Sequence, residues 1–400
     1  MKVLFYLNII NNILLSYSID IEKAIQNTYK GFIENNINKY DIKLVHRPYS
    51  EYPEDIVSEG VGYGMLISVW NNDEKTFKDI YKESDKYMWT GEYYNWHIGK
   101  NGEIMGTGAA TDAEEDIAMG LILAIKKIEK LEWDNEMEIK YRERLQNILD
   151  NMWTKSMISD KKLICPGSGW GCNQFLNPSY FAPAWYRIFS EIDENQYHDW
   201  ESVIEINYDI LMKTEGYDNG IIPDWTTIDG NFLEYEGQLG YNTYANGQYF
   251  YKDAIRVLWR IGLDYLWFKE ERAKILLENS YEFIKGNASK ANFYRVNEMD
   301  LVPEEDVWIF DGNKKMRTRR EHSHLTLGMW SIPIYIFGTE REKELLLEEW
   351  DLFYKEGQLF WGKIKDEINN EDIEHNEMYF DQFMALFGTM IMNNQCKRPI

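Results

Sequence analysis

The stretch ATDAEEDIAMGLILAI, residues 110–125, reads as a helix from its first turn. Thr111 is followed three residues later by Glu114, the spacing of a capping box, and Ile117, Leu121, Ala124 and Ile125 then recur at helical period. Asp112 falls in that first turn. The window 114–130 is one of a series: the same amphipathic period recurs over 20–36, 62–82, 136–153, 200–214, 252–268, 270–285, 325–337, 340–356 and 377–393. Loops rich in Gly, Asn and aromatic residues interrupt it, and strand-type alternation is scarce. Only nine prolines are spread through the chain, and no low-complexity linker marks a module boundary. About a dozen helices in one continuous unit predict an all-α fold of helical hairpins around an axis, a closed barrel or toroid rather than a doubly wound sheet. No tight repeat favours a solenoid.

The 400 residues carry 43 Lys+Arg against 67 Asp+Glu, a net charge of −24. Nucleic acid and anionic membrane surfaces are therefore expected not to be partners, and neutral or cationic ligands fit better. With 28 Tyr, 18 Phe and 15 Trp the chain is rich in flat apolar faces.

Residues 1–18 have a lysine, an apolar run broken by Asn8, Asn11 and Asn12, and then small and polar residues. That outline predicts a signal peptide and a secreted protein, with residues 19–400 as a single domain; an ordinary first helix of a cytoplasmic protein is the competing reading. No later segment is long enough to span a bilayer. Cys165 and Cys172 lie seven apart in ICPGSGWGC, a Gly/Pro-rich stretch that either bends back to join them or holds two separate thiols.

Nucleophile elbows, HExxH and paired metal spacings, P-loops and dinucleotide fingerprints are absent from the sequence, so no metal or cofactor is expected. The carboxylates remain. Glu59 lies among Gly60, Gly62 and Gly64 in SEGVGYGMLISVW, ahead of a helix starting near Met65, with Tyr63 and Trp70 nearby. Asp253 follows Tyr249, Phe250 and Tyr251. A carboxyl beside apolar surface can keep its proton while a better solvated one stays ionised, the pairing that glycosidic cleavage needs, and aromatic faces suit sugar rings. Most acidic residues are solvated, however, and one in a helix's first turn commonly complements only the dipole.

Taken together, SEGVGYGM (58–65), NWHI (95–98), GAATDAEEDIAMG (108–120), LNPSYFAPAWY (176–186), PDW (223–225), YKDAIRVLWRIGLDYLWF (251–268) and NEMYFDQF (376–383) resemble glycoside hydrolase family 8, inverting enzymes acting on β-1,4-linked glucans, xylans and chitosan. The resemblance implies a single (α/α)6 barrel with a cleft across one end. By matching position it implies Glu59 as general acid, Asp253 as general base, and Asp112 as the aspartate that grips the sugar at the cleavage subsite. Tyr180 and Arg256 match positions that hold the water or the base. Trp96, Trp225, Tyr379 and Phe380 match stacking platforms. An inverting pair should stand roughly 6.5–9.5 Å apart.

The expected activity is that of a monomeric, secreted endo-β-1,4-glucanase on cellulose-type or mixed-linkage glucan. The alternatives are a xylanase, an exo-oligoxylanase or a chitosanase of the same family, or a catalytically silent carbohydrate-binding protein. Lys252 departs from the aromatic or small residue common there, and the charged segment 296–323 reads as a solvated surface run or as a loop shaping the far end of the cleft.

Overall fold

The computed structural model describes residues 19–48, 50–170, 172, 174–214, 222–231, 233, 249–250, 253–287, 308–309, 324–354, 360–361 and 379–399. The segment 1–18, Lys252 and most of 296–323 lie outside the described residues.

Among the described residues twelve α-helices form an (α/α)6 barrel. Six line its inside: α2 (Ser58–Trp70), α4 (Thr111–Glu129), α6 (Pro183–Ile192), α8 (Val257–Phe268), α10 (His324–Phe337) and α12 (Phe380–Met392). Six lie outside: α1 (Ile21–Ile33), α3 (Glu74–Tyr87), α5 (Glu138–Thr154), α7 (Trp200–Thr214), α9 (Glu271–Asn287) and α11 (Glu340–Phe353). α12 packs back on α2 and closes the ring, and α1 covers α12 from outside. Helix α2 has only buried residues from Val61 to Val69, and α12 only buried residues from Asp381 to Ile391, as helices enclosed on all sides require. The outer helix α3 buries only Thr76, Phe77, Ile80, Tyr81 and Ser84, a single stripe.

Glycine sets the closest approaches. A Cβ at Gly388 would overlap the Gly328 carbonyl, so α10 and α12 touch backbone to backbone; one at Gly62 would lie 2.7 Å from Asp116 Cβ, where α2 meets α4. Between α4 and α6 the contact is polar: Trp185 Nε1 donates to Asp116 Oδ1 (2.7 Å) and the Tyr186 hydroxyl to Glu115 Oε1 (2.8 Å).

Three local expectations change. The window 62–82 holds two helices, because Asn72 takes a positive φ of 57° and the Asp73 side chain caps α3 by accepting from Thr76 N. Helix α2 begins at Ser58 rather than near Met65, so its glycines are helical. No capping box opens α4: Ala110 is its N-cap, the Thr111 hydroxyl is buried without a partner, and Glu114 Oε1 accepts from Tyr94 N (2.6 Å).

Short strands lie over the end of the barrel where the inner helices begin. β1 (His46–Arg47), β2 (Asp55–Val57), β3 (His97–Ile98) and β4 (Ile104–Gly106) form an antiparallel sheet in that order, and β2 runs directly into α2. β5 (Phe175–Leu176) pairs with β6 (Thr226–Thr227), and β7 (Tyr249–Phe250) with β8 (Trp308–Ile309). The last pair joins two residues of the 296–323 segment to the strand preceding Asp253.

Candidate active site

Each carboxylate of interest stands where the chain enters an inner helix. Glu59 is in the first turn of α2, and Ser58 N donates to Trp96 O (3.0 Å), which fixes the NWHI strand beside it. Asp112 is in the first turn of α4, whose entry is tied to the 166–168 loop by Thr111 N to Pro166 O (3.2 Å) and Ala109 N to Ser168 Oγ (2.9 Å). Asp253 caps a 3₁₀ turn, Ala254–Arg256, that feeds α8, and Asp224 Oδ1 accepts from Ala254 N (2.8 Å). Helix N-termini favour negative charge.

Arg256, 2% exposed, joins all three. Its Nη1 donates to Glu59 Oε2 (2.8 Å), Asp112 Oδ2 (3.0 Å) and the Tyr63 hydroxyl (3.2 Å), and its Nη2 donates to Asp253 Oδ1 (2.6 Å). Since both nitrogens belong to one rigid fork, the nearest oxygens of Glu59 and Asp253 stand no more than about 8 Å apart. The rings of Tyr180 and Phe380 lie 5.3 and 5.8 Å from the guanidinium carbon. The Tyr379 hydroxyl lies 2.9 Å from Glu59 Oε1; it donates to the carboxylate and, by rotation, accepts from the carboxylic acid.

Three carboxylates facing one guanidinium cannot all be neutralised. Asp112, the most buried, is pushed up to about 7: burial is the main cause and Glu59 and Asp116 add to it, while Arg256 opposes both. A shared cation is too weak a partner to offset that desolvation. Glu59 and Asp253 remain partly open to solvent. Behind them Arg260 makes a buried two-pronged pair with Asp116.

Glu59 and Asp112 open onto a cleft of about 230 Å3 that Arg47, Trp96, Trp170 and Tyr180 also line. Trp96 (38% exposed) and Trp170 (60% exposed) stand in that lining.

Glu59, Asp112, Asp253, Arg256, Tyr180, Tyr379 and Phe380 thus meet at one point, with Trp96 on the cleft wall. Trp225 does not share that wall: it is 5% exposed and packs with Leu233 and Phe175. Tyr379 is placed as a partner of Glu59, with its ring edge on Phe383.

Trp170, Asp224 and Arg47 escaped the sequence reading. Trp170 lies within ICPGSGWGC, where the cysteines drew the attention; Cys165 and Cys172 are joined, and the disulfide closes the loop that carries it. Asp224 stands next to Trp225 in PDW. Arg47 pairs with Asp55, which also accepts from Ser50 Oγ (2.6 Å) and lies 2.7 Å from His97 Nε2.

Among the described residues, Asp150, Asp193 and His198 bring ligand-type atoms within 4.8 Å of one another. Asp193 already accepts from Gln146 Nε2 (2.9 Å), Asn195 N (2.9 Å) and Trp200 Nε1 (2.8 Å) and meets His198 Nδ1 at 2.7 Å, so the group reads as a hydrogen-bond network.

Residues 19–305 match the family model described as glycosyl hydrolases family 8. The chain belongs to this family. Its family 8 relatives include Endoglucanase 2 of Ruminiclostridium josui, 38% identical over 236 residues, a match covering 58% of this chain and 47% of the relative. Endoglucanase A of Acetivibrio thermocellus is 35% identical over 244 residues, covering 59% and 47%. The matches thus span about half the length of these curated relatives. Among solved structures, Rex8A from Paenibacillus barcinonensis complexed with xylose superposes with a TM-score of 0.71 at 17% identity, covering 95% of this chain and 94% of that one. A reducing-end-xylose releasing exo-oligoxylanase complexed with xylose gives 0.69 at 20% identity, covering 96% and 95%. At such identities the likeness is one of fold, and it is the fold common to this family 8 barrel.

Proposed function

We propose that this family 8 protein hydrolyses internal β-1,4 bonds of cellulose-type or mixed-linkage β-glucan with inversion at the anomeric carbon. The observation that carries the proposal is the meeting of Glu59, Asp112 and Asp253 on the single guanidinium of Arg256, beside a cleft that Glu59, Asp112, Trp96 and Trp170 line.

Glu59 gives its proton to the departing glycosidic oxygen, with the Tyr379 hydroxyl holding its other oxygen. Asp253 takes a proton from a water that attacks the anomeric carbon from the opposite face, and the bond from Arg256 Nη2 to its Oδ1 holds the base in place. Asp112 is buried at the cleft floor, where a neutral carboxyl can donate to a sugar hydroxyl and an ionised one can accept from it. Trp96 and Trp170 supply flat faces for the C–H sides of flanking pyranoses.

Support for glucan over xylan comes from relatives: Endoglucanase 2, Endoglucanase C and Endoglucanase A are 35–38% identical, whereas those named reducing-end xylose-releasing exo-oligoxylanases are 24–27% identical, the range in which another endoglucanase, at 26%, also falls. Secretion, a single domain over 19–400 and a monomeric state belong to the same proposal; the signal-like outline of residues 1–18 supports the first.

Reducing-sugar release from carboxymethylcellulose, barley glucan, xylan and chitosan tests the substrate. Glucan turnover that falls by about 10²–10⁴ in Glu59→Gln and Asp253→Asn, with oligosaccharide binding retained, fits the proposal. Activity on xylan or chitosan alone overturns the substrate, and wild-type turnover in both variants overturns the assigned roles.

A further inference from the structure

A second cavity, of about 240 Å3, opens where α2 and α4 end, at the opposite end of the barrel from the carboxylates. The chain that follows α12 folds across it. Five cations line it, Lys126, Lys127, Lys130, Lys397 and Arg398, against one carboxylate, Glu132. Lys126 pairs with Glu129 (2.8 Å), Lys127 with Glu132 and Arg398 with Glu191 (2.8 Å). Lys130 and Lys397 have no ion-pair partner among the described residues. Two positive charges are left at the mouth of one cavity in a chain of net charge −24.

Lys126 and Lys127 sit in the last turn of α4 and complement its dipole. That explanation does not reach Lys397 or Arg398, which lie beyond the end of α12 and come to the cavity only because the tail folds back. The inner wall is different in kind: Val69, Leu123 and Pro399 are apolar, and Trp70 adds an indole packed edge-on to Phe387 at 6.0 Å. An apolar aromatic wall under a cationic mouth matches a ring with C–H faces and a negatively charged substituent.

We infer that this cavity binds an anionic saccharide, its pyranose face against Trp70 and its carboxylate or phosphate between Lys130 and Lys397. The site takes no part in hydrolysis and stands whether or not the cleft cuts glucan. Because the rest of the protein repels anions, binding weakens steeply with added salt.

Calorimetric titration of the full chain with trigalacturonate, glucose 6-phosphate and inorganic phosphate tests the inference, in the wild type and in a Lys130→Glu/Lys397→Glu double variant. The expected result is that one or both sugar anions bind more tightly than inorganic phosphate, and that the double variant weakens this by about tenfold or more. Trigalacturonate or glucose 6-phosphate as the tighter ligand identifies a uronate or a phosphorylated sugar as the source of the charge. Turnover of barley glucan and the thermal midpoint should be unchanged in the double variant, which separates loss of this site from loss of the cleft or of the fold. Inorganic phosphate binding as tightly as both sugar anions overturns the saccharide assignment. Binding that is absent, or unaffected by the two substitutions, overturns the site.

Discussion

The Tyr379 hydroxyl and Glu59 Oε1 lie 2.9 Å apart although 320 residues separate them in the chain. Tyr379 caps the last inner helix and Glu59 opens the first, so the bond forms only when the barrel closes. Tyr379→Phe removes that bond and leaves the ring packed on Phe383. Turnover is expected to fall about tenfold, the scale of one hydrogen bond, with KM and melting temperature little changed. Steady-state kinetics on barley glucan check this; wild-type kcat means that the hydroxyl does not position the acid.

Arg256→Lys keeps the charge and loses the fork. One ammonium cannot reproduce four directed bonds to Glu59, Asp112, Asp253 and Tyr63. Activity is expected to drop by at least about 100-fold, and stability by up to about 3–5 kcal/mol, the cost of leaving a buried carboxylate unpaired. Denaturant melts and single-turnover rates measure the two effects separately.

Stability should decline from weakly acid to weakly alkaline pH. Burial raises Asp112 to about 7 and Glu114 to about 8, from ordinary values of 3.8 and 4.5. Between the ordinary and raised values the folded chain holds protons that the unfolded chain has released, so rising pH favours unfolding. Their stabilising contribution is complete below about pH 4 and is lost as pH climbs toward 8. Glu114→Gln removes one of the two groups. Its melting temperature should fall less between pH 5 and pH 8 than that of the wild type, and equal falls contradict the buried, protonated state.

The backbone contact between α10 and α12 makes a control pair of glycines. Gly388→Ala drives a methyl into the Gly328 carbonyl and should cost about 1–3 kcal/mol or more, whereas a Cβ at Gly169 meets nothing within 4 Å. Thermal melts of both variants test the packing; equal stability contradicts it.

Local signals made much of the site legible. Asp253 and Arg256 are three residues apart, and a single helical turn brings them together. The helical period revealed the helices, the structure alone sorted inner from outer, and the motif order led to family 8. The sequence could mislead where distant partners decide. Thr111 and Glu114 have capping-box spacing, yet loop 166–168 holds the backbone entering α4 and Tyr94 N occupies Glu114. Asp224 accepts from Ala254 N in the Asp253 turn, 30 residues on in the chain, and Trp225 beside it packs in a small apolar cluster. Trp170 reaches the cleft on a disulfide-closed loop whose bridge the spacing of Cys165 and Cys172 left open.

The central claim is a single displacement by water, with Glu59 as acid and Asp253 as base. Proton NMR of a cello-oligosaccharide during its first minutes of hydrolysis reads the stereochemistry directly. The α-anomer of the new reducing end should appear first and relax to the β form by mutarotation. First appearance of the β-anomer, or no product at all, would contradict the account.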